Sequence, residues 1–217
     1  MKKLLSLFLV AFLSGCATQS ATVPKSWTYT DSDAVTVVVA VGIATSGNYK
    51  SLLPYHYFLV ENEGSSESLQ LKADNDPGFM NSVGDYETKE GKFGLVKLTL
   101  KPGKYKITNI ASYSPSPYGG VDLRAKEKFS IPIILEANKK YYLGSFSAHN
   151  VSAKGGLGNN IVVGAFWVAD TDSSPNLSAI TKKFPELSNS KLESYKGVFK
   201  NPPYFFTSEK EAEEMFK

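Results

Sequence analysis

Three side chains of this 217-residue chain combine basic or nucleophilic reactivity near neutral pH: His56, His149 and the single cysteine, Cys16. Nucleophilic hydrolysis needs a hydroxyl or thiol with a base beside it. His56 lies in the dense apolar stretch Pro54–Glu61, where a histidine reads as a hydrogen-bonded sheet residue. His149 follows the stretch Lys140–Ser147 and precedes Asn150 and a glycine-rich loop, so it is the better placed of the two for an exposed site. A lone loop histidine is nevertheless ordinarily just solvated. Ser188-x-x-Lys191 has the spacing of a serine–lysine pair, but it sits in a polar stretch without its partner motifs, and no Gly-x-Ser-x-Gly elbow occurs. The chain reads as a non-enzyme, with no catalytic residues.

Metal and phosphate chemistry is equally sparse. Asp74-Asn75-Asp76-Pro77-Gly78 groups three oxygen ligands that could hold calcium, yet these are also the residues a plain turn requires, and the turn is the preferred reading. Gly155-Gly156-Leu157-Gly158-Asn159-Asn160 precedes a strand-like stretch, so no helix N-terminus faces a phosphate there, and it reads as a hairpin loop. No metal and no cofactor is expected. The balance of 24 basic against 21 acidic residues leaves no basic stripe, which argues against nucleic acid as a partner.

Two aromatic segments could bind without catalysing. Tyr113-Ser-Pro-Ser-Pro-Tyr118-Gly-Gly sets Tyr113 and Tyr118 on a proline-stiffened loop, where their rings could stack on a sugar or dock a protein. Tyr204, Phe205 and Phe206 follow a Pro-Pro pair and either dock a partner or cap the core.

Cys16 is reserved for another use. Lys2 and Lys3 precede an apolar run of residues 4–12, too short to span a bilayer comfortably, and then Leu13-Ser14-Gly15-Cys16. This tetrapeptide resembles the lipobox of bacterial lipoproteins. The resemblance implies cleavage before Cys16, a diacylglyceryl thioether on its sulfur and an acyl chain such as palmitate on its amine, anchoring the protein in a membrane. Several acyl chains anchor stably where one binds marginally. In Gram-negative lipoproteins an Asp after the cysteine favours the inner membrane; Ala17 stands here, which implies the outer membrane, facing the periplasm. Residues 1–15 are thus expected to be a signal peptide and 16–25 a lipidated, flexible tether. Loss of Lys2 and Lys3 from the 24 basic residues would leave 22 against 21 acidic ones.

The elements that must position these residues are mostly strands. Apolar residues recur with period two, as in Val35, Val37, Val39, Val41 and Ile43, with Thr36 and Ala40 opposite. Pro54–Glu61 sets Tyr55, Tyr57 and Leu59 against His56, Phe58 and Val60, which reads as a strand buried on both sides. Further runs lie at residues 68–72, 93–100, 104–111, 129–135, 140–147 and 161–169, giving eight or nine short strands. Lys101-Pro102-Gly103 predicts a tight turn closing a hairpin, and Pro132 predicts an edge or a bulge. After Ala169 the pattern turns helical. Asp170 and Asp172 read as helix-start residues, Leu177, Ile180, Thr181 and Phe184 keep helical spacing, and Ser208 with Glu211 suggests a second helix.

The expected fold is mainly β: an antiparallel β-sandwich over residues 26–169, with a short helical and extended C-terminal appendage, 170–217, packed upon it. Leu98–Ile107 resembles the Pro-Gly hairpin of transthyretin-like, prealbumin-type sandwiches, and Lys140–Gly144 resembles a strand found with it in bacterial lipoproteins. That resemblance implies a binding, adhesive or accessory module and fixes no ligand. The expected function is a tethered envelope sandwich that binds or scaffolds another envelope component; the alternative is a carbohydrate-binding module for peptidoglycan or exported polysaccharide.

Overall fold

The computed structural model describes residues 21–22, 24, 27–74, 84–89, 91–114, 120–125, 128–172, 176–195 and 206–208. Its strands are β1 (Ala21–Thr22), β2 (Val35–Ala44), β3 (Tyr55–Asn62), β4 (Ser68–Asp74), β5 (Tyr86–Glu87), β6 (Gly91–Leu100), β7 (Gly103–Ser114), β8 (Val121–Arg124), β9 (Ile131–Leu135), β10 (Lys140–Lys154), β11 (Asn160–Asp170), β12 (Glu193–Ser194) and β13 (Phe206–Ser208). One helix, α1 (Leu177–Lys183), and a 3-10 turn, Pro185–Leu187, lie between β11 and β12. The strands form two sheets, the first ordered β1-β4-β3-β7-β8 with β9 also on β7, and the second β13-β11-β10-β2-β6-β5 with β12 also on β10. The protein is mainly β, a sandwich with a small helical part. Several strands run longer than their sequence pattern suggests, β10 reaching 15 residues, whereas β9 is shorter, starting at Ile131.

The valine run explains the middle of the molecule. Val35, Val37, Val39, Val41 and Ile43 face the first sheet and pack with Phe58, Ile107, Phe146 and Trp167. The other face of β2 is buried as well: Val38 and Ala40 join Phe93, Leu95, Tyr142, Ile180 and Leu187 beneath α1 and the 3-10 turn. The second sheet is therefore covered on both sides here, and its middle strand β2 carries apolar residues at almost every position. The β2–β10 pair is parallel, an exception in a largely antiparallel pair of sheets.

The turn at Lys101-Pro102 does not close a hairpin. β6 belongs to the second sheet and β7 to the first, so the chain turns a corner between them. The Tyr105 hydroxyl donates to Lys101 O at 2.8 Å across that corner, and Trp27 packs edge-on against the Tyr105 ring at 5.5 Å. The wet face expected there is present: Tyr105 and Ile107 are buried while Lys104 is exposed and Lys106 half-buried. Pro132 sits where a residue without an N–H can sit, on the β9 edge. Beside it the Ile134 N–H donates to the Tyr195 hydroxyl at 2.8 Å, while the Tyr195 N–H donates to Tyr142 O in the other sheet at 2.8 Å.

Gly144 makes a bulge in β10. Its φ is +134°, and a Cβ there would lie 2.8 Å from Asp170 O. The β2 register jumps from Tyr142–Val38 to Gly144–Val39, so Leu143 is the extra residue. Before the bulge Tyr141 and Leu143 face the core; after it Phe146 and Ala148 do, leaving Tyr142 beneath α1.

Several local expectations are corrected. Neither Asp170 nor Asp172 caps α1: Asp170 accepts the Asp172 N–H at 2.8 Å, and Asn176 precedes the helix without a side-chain cap. Asn176 instead donates to the Tyr142 hydroxyl at 2.8 Å. Leu177 is exposed, and Ile180 alone of the helix is fully buried. The helix holds on through polar contacts too: Lys183 Nζ meets Asp85 Oδ2 at 2.6 Å and Leu95 O at 2.8 Å, satisfying the open β6 edge. Ser208 ends β13, paired in parallel with β11, and the helix expected beyond it lies outside the described residues. The expected free tether docks in part, since Ala21 and Thr22 pair with Leu71 and Gln70 of β4.

Candidate functional site

β3 alternates cleanly, which corrects its reading as a strand buried on both sides. His56, Phe58 and Val60 point into the core, so Tyr55, Tyr57 and Leu59 lie half-buried on the outer face of the first sheet. Register then places Tyr113 of β7 opposite Tyr55, and Asp122 of β8 opposite Tyr113. One step along, Tyr57 lies between Lys72 of β4 and Ala111 of β7, with Arg124 of β8 beyond. The Tyr55 and Tyr113 rings stack with centroids 5.0 Å apart, and Tyr57 meets Tyr113 edge-on at 6.1 Å. Arg124 forks onto both Asp122 carboxylate oxygens, at 3.0 and 3.1 Å from Nε.

The result is a patch of three tyrosine rings bordered by a lysine and an arginine–aspartate pair. Such a surface offers aromatic faces and edges to the C–H side of a sugar or to apolar protein groups, with donors and acceptors at its rim. Tyr113 is the one sequence-predicted binding residue found there. Tyr118 lies outside the described residues, in the connection between the paired Ser114 and Val121. Tyr55 and Tyr57 were missed; their signal was the alternation with His56, obscured because both halves of the strand are rich in apolar atoms.

His56 is a pinned interior group. It is 1% exposed; Nδ1 lies 2.7 Å from Ser112 Oγ, and Nε2 lies 3.0 Å from Leu53 O and also contacts Ser51 Oγ. A proton on Nε2 satisfies the Leu53 carbonyl and leaves Nδ1 to accept from Ser112, a neutral imidazole with both nitrogens engaged. Burial pushes its pKa down to about 4, with the Leu53 carbonyl opposing and the nearby His149 adding to the shift. The Ser51–His56 contact thus resembles a nucleophile and base in composition, but its groups hold a buried loop in place.

His149 is not on a loop. It sits within β10, which continues to Lys154, and its ring stacks on Phe166 of β11 with centroids 4.9 Å apart. Nε2 lies 2.9 Å from Ser147 Oγ, and burial again lowers the pKa to about 4, opposed by a backbone contact to Tyr49. Next to it Asn150, 1% exposed, accepts the Leu52 and Leu53 N–H groups at 2.6 and 2.9 Å.

The other described candidates lie elsewhere in the fold. Phe206 pairs through its backbone with Trp167 in the second sheet, and Tyr204 and Phe205 lie outside the described residues, as do Cys16 and Asn75–Gly78. Ser188 and Lys191 are exposed on the segment leading to β12. Among the described residues no three His, Cys, Asp or Glu side chains converge as a metal site requires. Within the same residues no helix is long and apolar enough to cross a membrane. Comparison with known proteins finds no matching family model, no similar curated protein and no similar solved structure.

Proposed function

We propose that this chain is a lipid-anchored, non-enzymatic protein of the cell envelope that binds another envelope component through the outer face of its first sheet. The observation that carries the reading is the meeting of Tyr55, Tyr57 and Tyr113 from two strands on one half-buried face. Rings stacked at a sheet surface form a stiff platform that loses little entropy on binding. The lipobox-like Leu13–Cys16 supplies the address, and Cys16, the sole cysteine, supplies the anchor.

A glycan is the second reading. It is favoured by the bidentate Arg124–Asp122 pair beside the rings, since sugar recognition combines stacking with charged hydrogen-bond partners at the rim. Affinity electrophoresis of the wild type and of Tyr57→Ala in gels containing envelope polysaccharide or peptidoglycan fragments tests it. Retardation of the wild type, lost in the variant, supports a glycan. Equal mobility of both in every gel assigns the face to a protein partner.

A further inference from the structure

The end of the sandwich from which the N-terminal segment departs also carries most of the exposed apolar side chains. Ala21 pairs with Leu71 and Thr22 with Gln70, so β1 runs antiparallel to β4 and the chain before Ala21 leads toward the Asp74 end of that sheet. Tyr55 and Tyr113 mark the same end, through the Tyr55–Asp74 and Tyr55–Tyr113 pairs. In the second sheet this end is where β2 finishes, at Ala44.

There β10 and β11 outrun the sheet. The β2 ladder stops at Ala148–Ile43, while β10 and β11 stay paired from Asn150–Ala165 out to Lys154–Asn160. Beyond Asn150, which is buried against the Tyr49–Leu53 loop, the four strand residues Val151–Lys154 project roughly 13 Å, before the turn is counted. Of six exposed large apolar residues among those described, Leu157, Ile161 and Val163 lie on this arm and Leu52 on the loop beside its base. Leu157 is 97% exposed at the tip. Lys50, Lys89 and Lys154 are exposed around the same end, as are Glu87 and Asp122, the latter in a pair with Arg124. Asp31, Asp33, Glu63 and Glu67 lie at the opposite end, with Lys101 and Lys104.

We infer that the β10–β11 arm rests on the lipid surface that holds the anchor, its Leu157 tip in the headgroup region and the lysines over anionic headgroups. The inference rests on the reading of Cys16 as the lipidated residue. Chain length makes the argument quantitative. Four residues, Ala17–Ser20, separate Cys16 from Ala21. The five steps from Ala21 to Cys16 reach at most about 17 Å. Passing the three residues from Leu71 to the end of β4 would take roughly 10 Å of that reach, so the anchor can lie at most about 7 Å beyond the sheet. The arm overhangs by more than the tether does. Holding the acyl chains in the bilayer therefore brings the arm to the same surface, where apolar side chains and lysines each favour contact. The tyrosine face then lies close to the membrane, and its partner is a membrane-proximal component.

Cys16 is the sole cysteine, so once it is acylated an added cysteine is the single labelling site. The full-length lipidated protein carrying Leu157→Cys or, at the opposite end, Ser66→Cys is labelled with an environment-sensitive nitrobenzoxadiazole dye. It is then reconstituted in phosphatidylethanolamine–phosphatidylglycerol vesicles containing nitroxide lipids. Intact mass reports the acylation of Cys16 separately, so failure of the anchor is distinguished from failure of the arm. The expected result is a blue shift and loss on the order of half the emission at position 157, with neither at 66, as an interfacial side chain requires. With acylation confirmed, no quenching at 157, or equal quenching at both positions, overturns the proposal. A signal at 157 that follows protein concentration instead of lipid also overturns it, assigning the arm to a second copy of the chain.

Discussion

His56 in the first sheet and Asn150 in the second grip the same loop: the imidazole faces the carbonyl of Leu53, and the Asn150 amide oxygen accepts the N–H groups of Leu52 and Leu53. The two sheets are thereby joined at the end that carries the arm and the tyrosine face. His56, Asn150 and Leu53 are buried, whereas the Leu52 side chain is exposed.

Acid should loosen this junction. His56 and His149 are each held by burial near a pKa of about 4, below the ordinary 6.5 of an unfolded histidine. Between those values the unfolded chain binds protons that the folded one does not, so stability falls as pH drops from 6.5 toward 4 and levels off below. A shift of that size corresponds to about 3 kcal/mol for each histidine. Urea unfolding from pH 7.5 to 4 should show the loss in the wild type and a shallower slope in His56→Gln. Identical slopes in the two proteins would show that His56 is not held neutral by the fold.

Asn150→Ala should destabilise by about 2–4 kcal/mol, because the buried Leu53 N–H and the part-buried Leu52 N–H lose their acceptor at once. Amide exchange at Leu52 and Leu53 should rise in the variant well beyond the change in the β6 ladder. Uniform acceleration throughout would mean that the loop is not separately pinned.

Gly144→Ala and Gly103→Ala separate strain from crowding. Both glycines have positive φ, but a Cβ at 144 meets Asp170 O at 2.8 Å whereas one at 103 meets nothing within 4 Å. The 144 variant should lose more than the roughly 1–3 kcal/mol expected for backbone strain, and the 103 variant should stay within that range. Calorimetry of both variants provides the comparison, and equal losses would contradict the bulge geometry.

The C-terminal segment should be a structural layer of the sandwich. Ile180→Ala opens a cavity between α1 and the second sheet and should cost about 2–4 kcal/mol in a single cooperative transition. A change confined to local exchange in residues 176–195, with global unfolding unaltered, would show that the segment is only laid on the surface.

How much of this was legible depended on whether local or distant residues decide. The alternating valines of β2, the edge position of Pro132 and the wet face of Lys104 and Lys106 follow from period and backbone chemistry alone. The Pro102–Gly103 turn was visible as a turn, but no local residue says that Leu100 pairs with Val35 in one sheet while Tyr105 pairs with Ile133 and Asn62 in the other. The burial of Val38 was hidden because its cover, Ile180, arrives more than a hundred residues later. Gly144 was invisible for a related reason: a bulge reverses inside and outside without altering composition. The tyrosine face was half legible: Tyr113 stood out by its type, though it lies on β7 and not on the loop expected for it, and Tyr55 and Tyr57 emerged only once register set them beside it.

Crosslinking in intact cells from a photoreactive benzoylphenylalanine placed at Tyr57 tests most directly the claim that this face binds an envelope component. The account predicts one dominant envelope adduct from position 57, retained with Cys16 acylated, diminished by Tyr113→Ala, and not formed when the same group replaces Lys106 at the far end of the sheet. Adducts of equal yield from both positions, or none from position 57 in a folded, acylated protein, would contradict it.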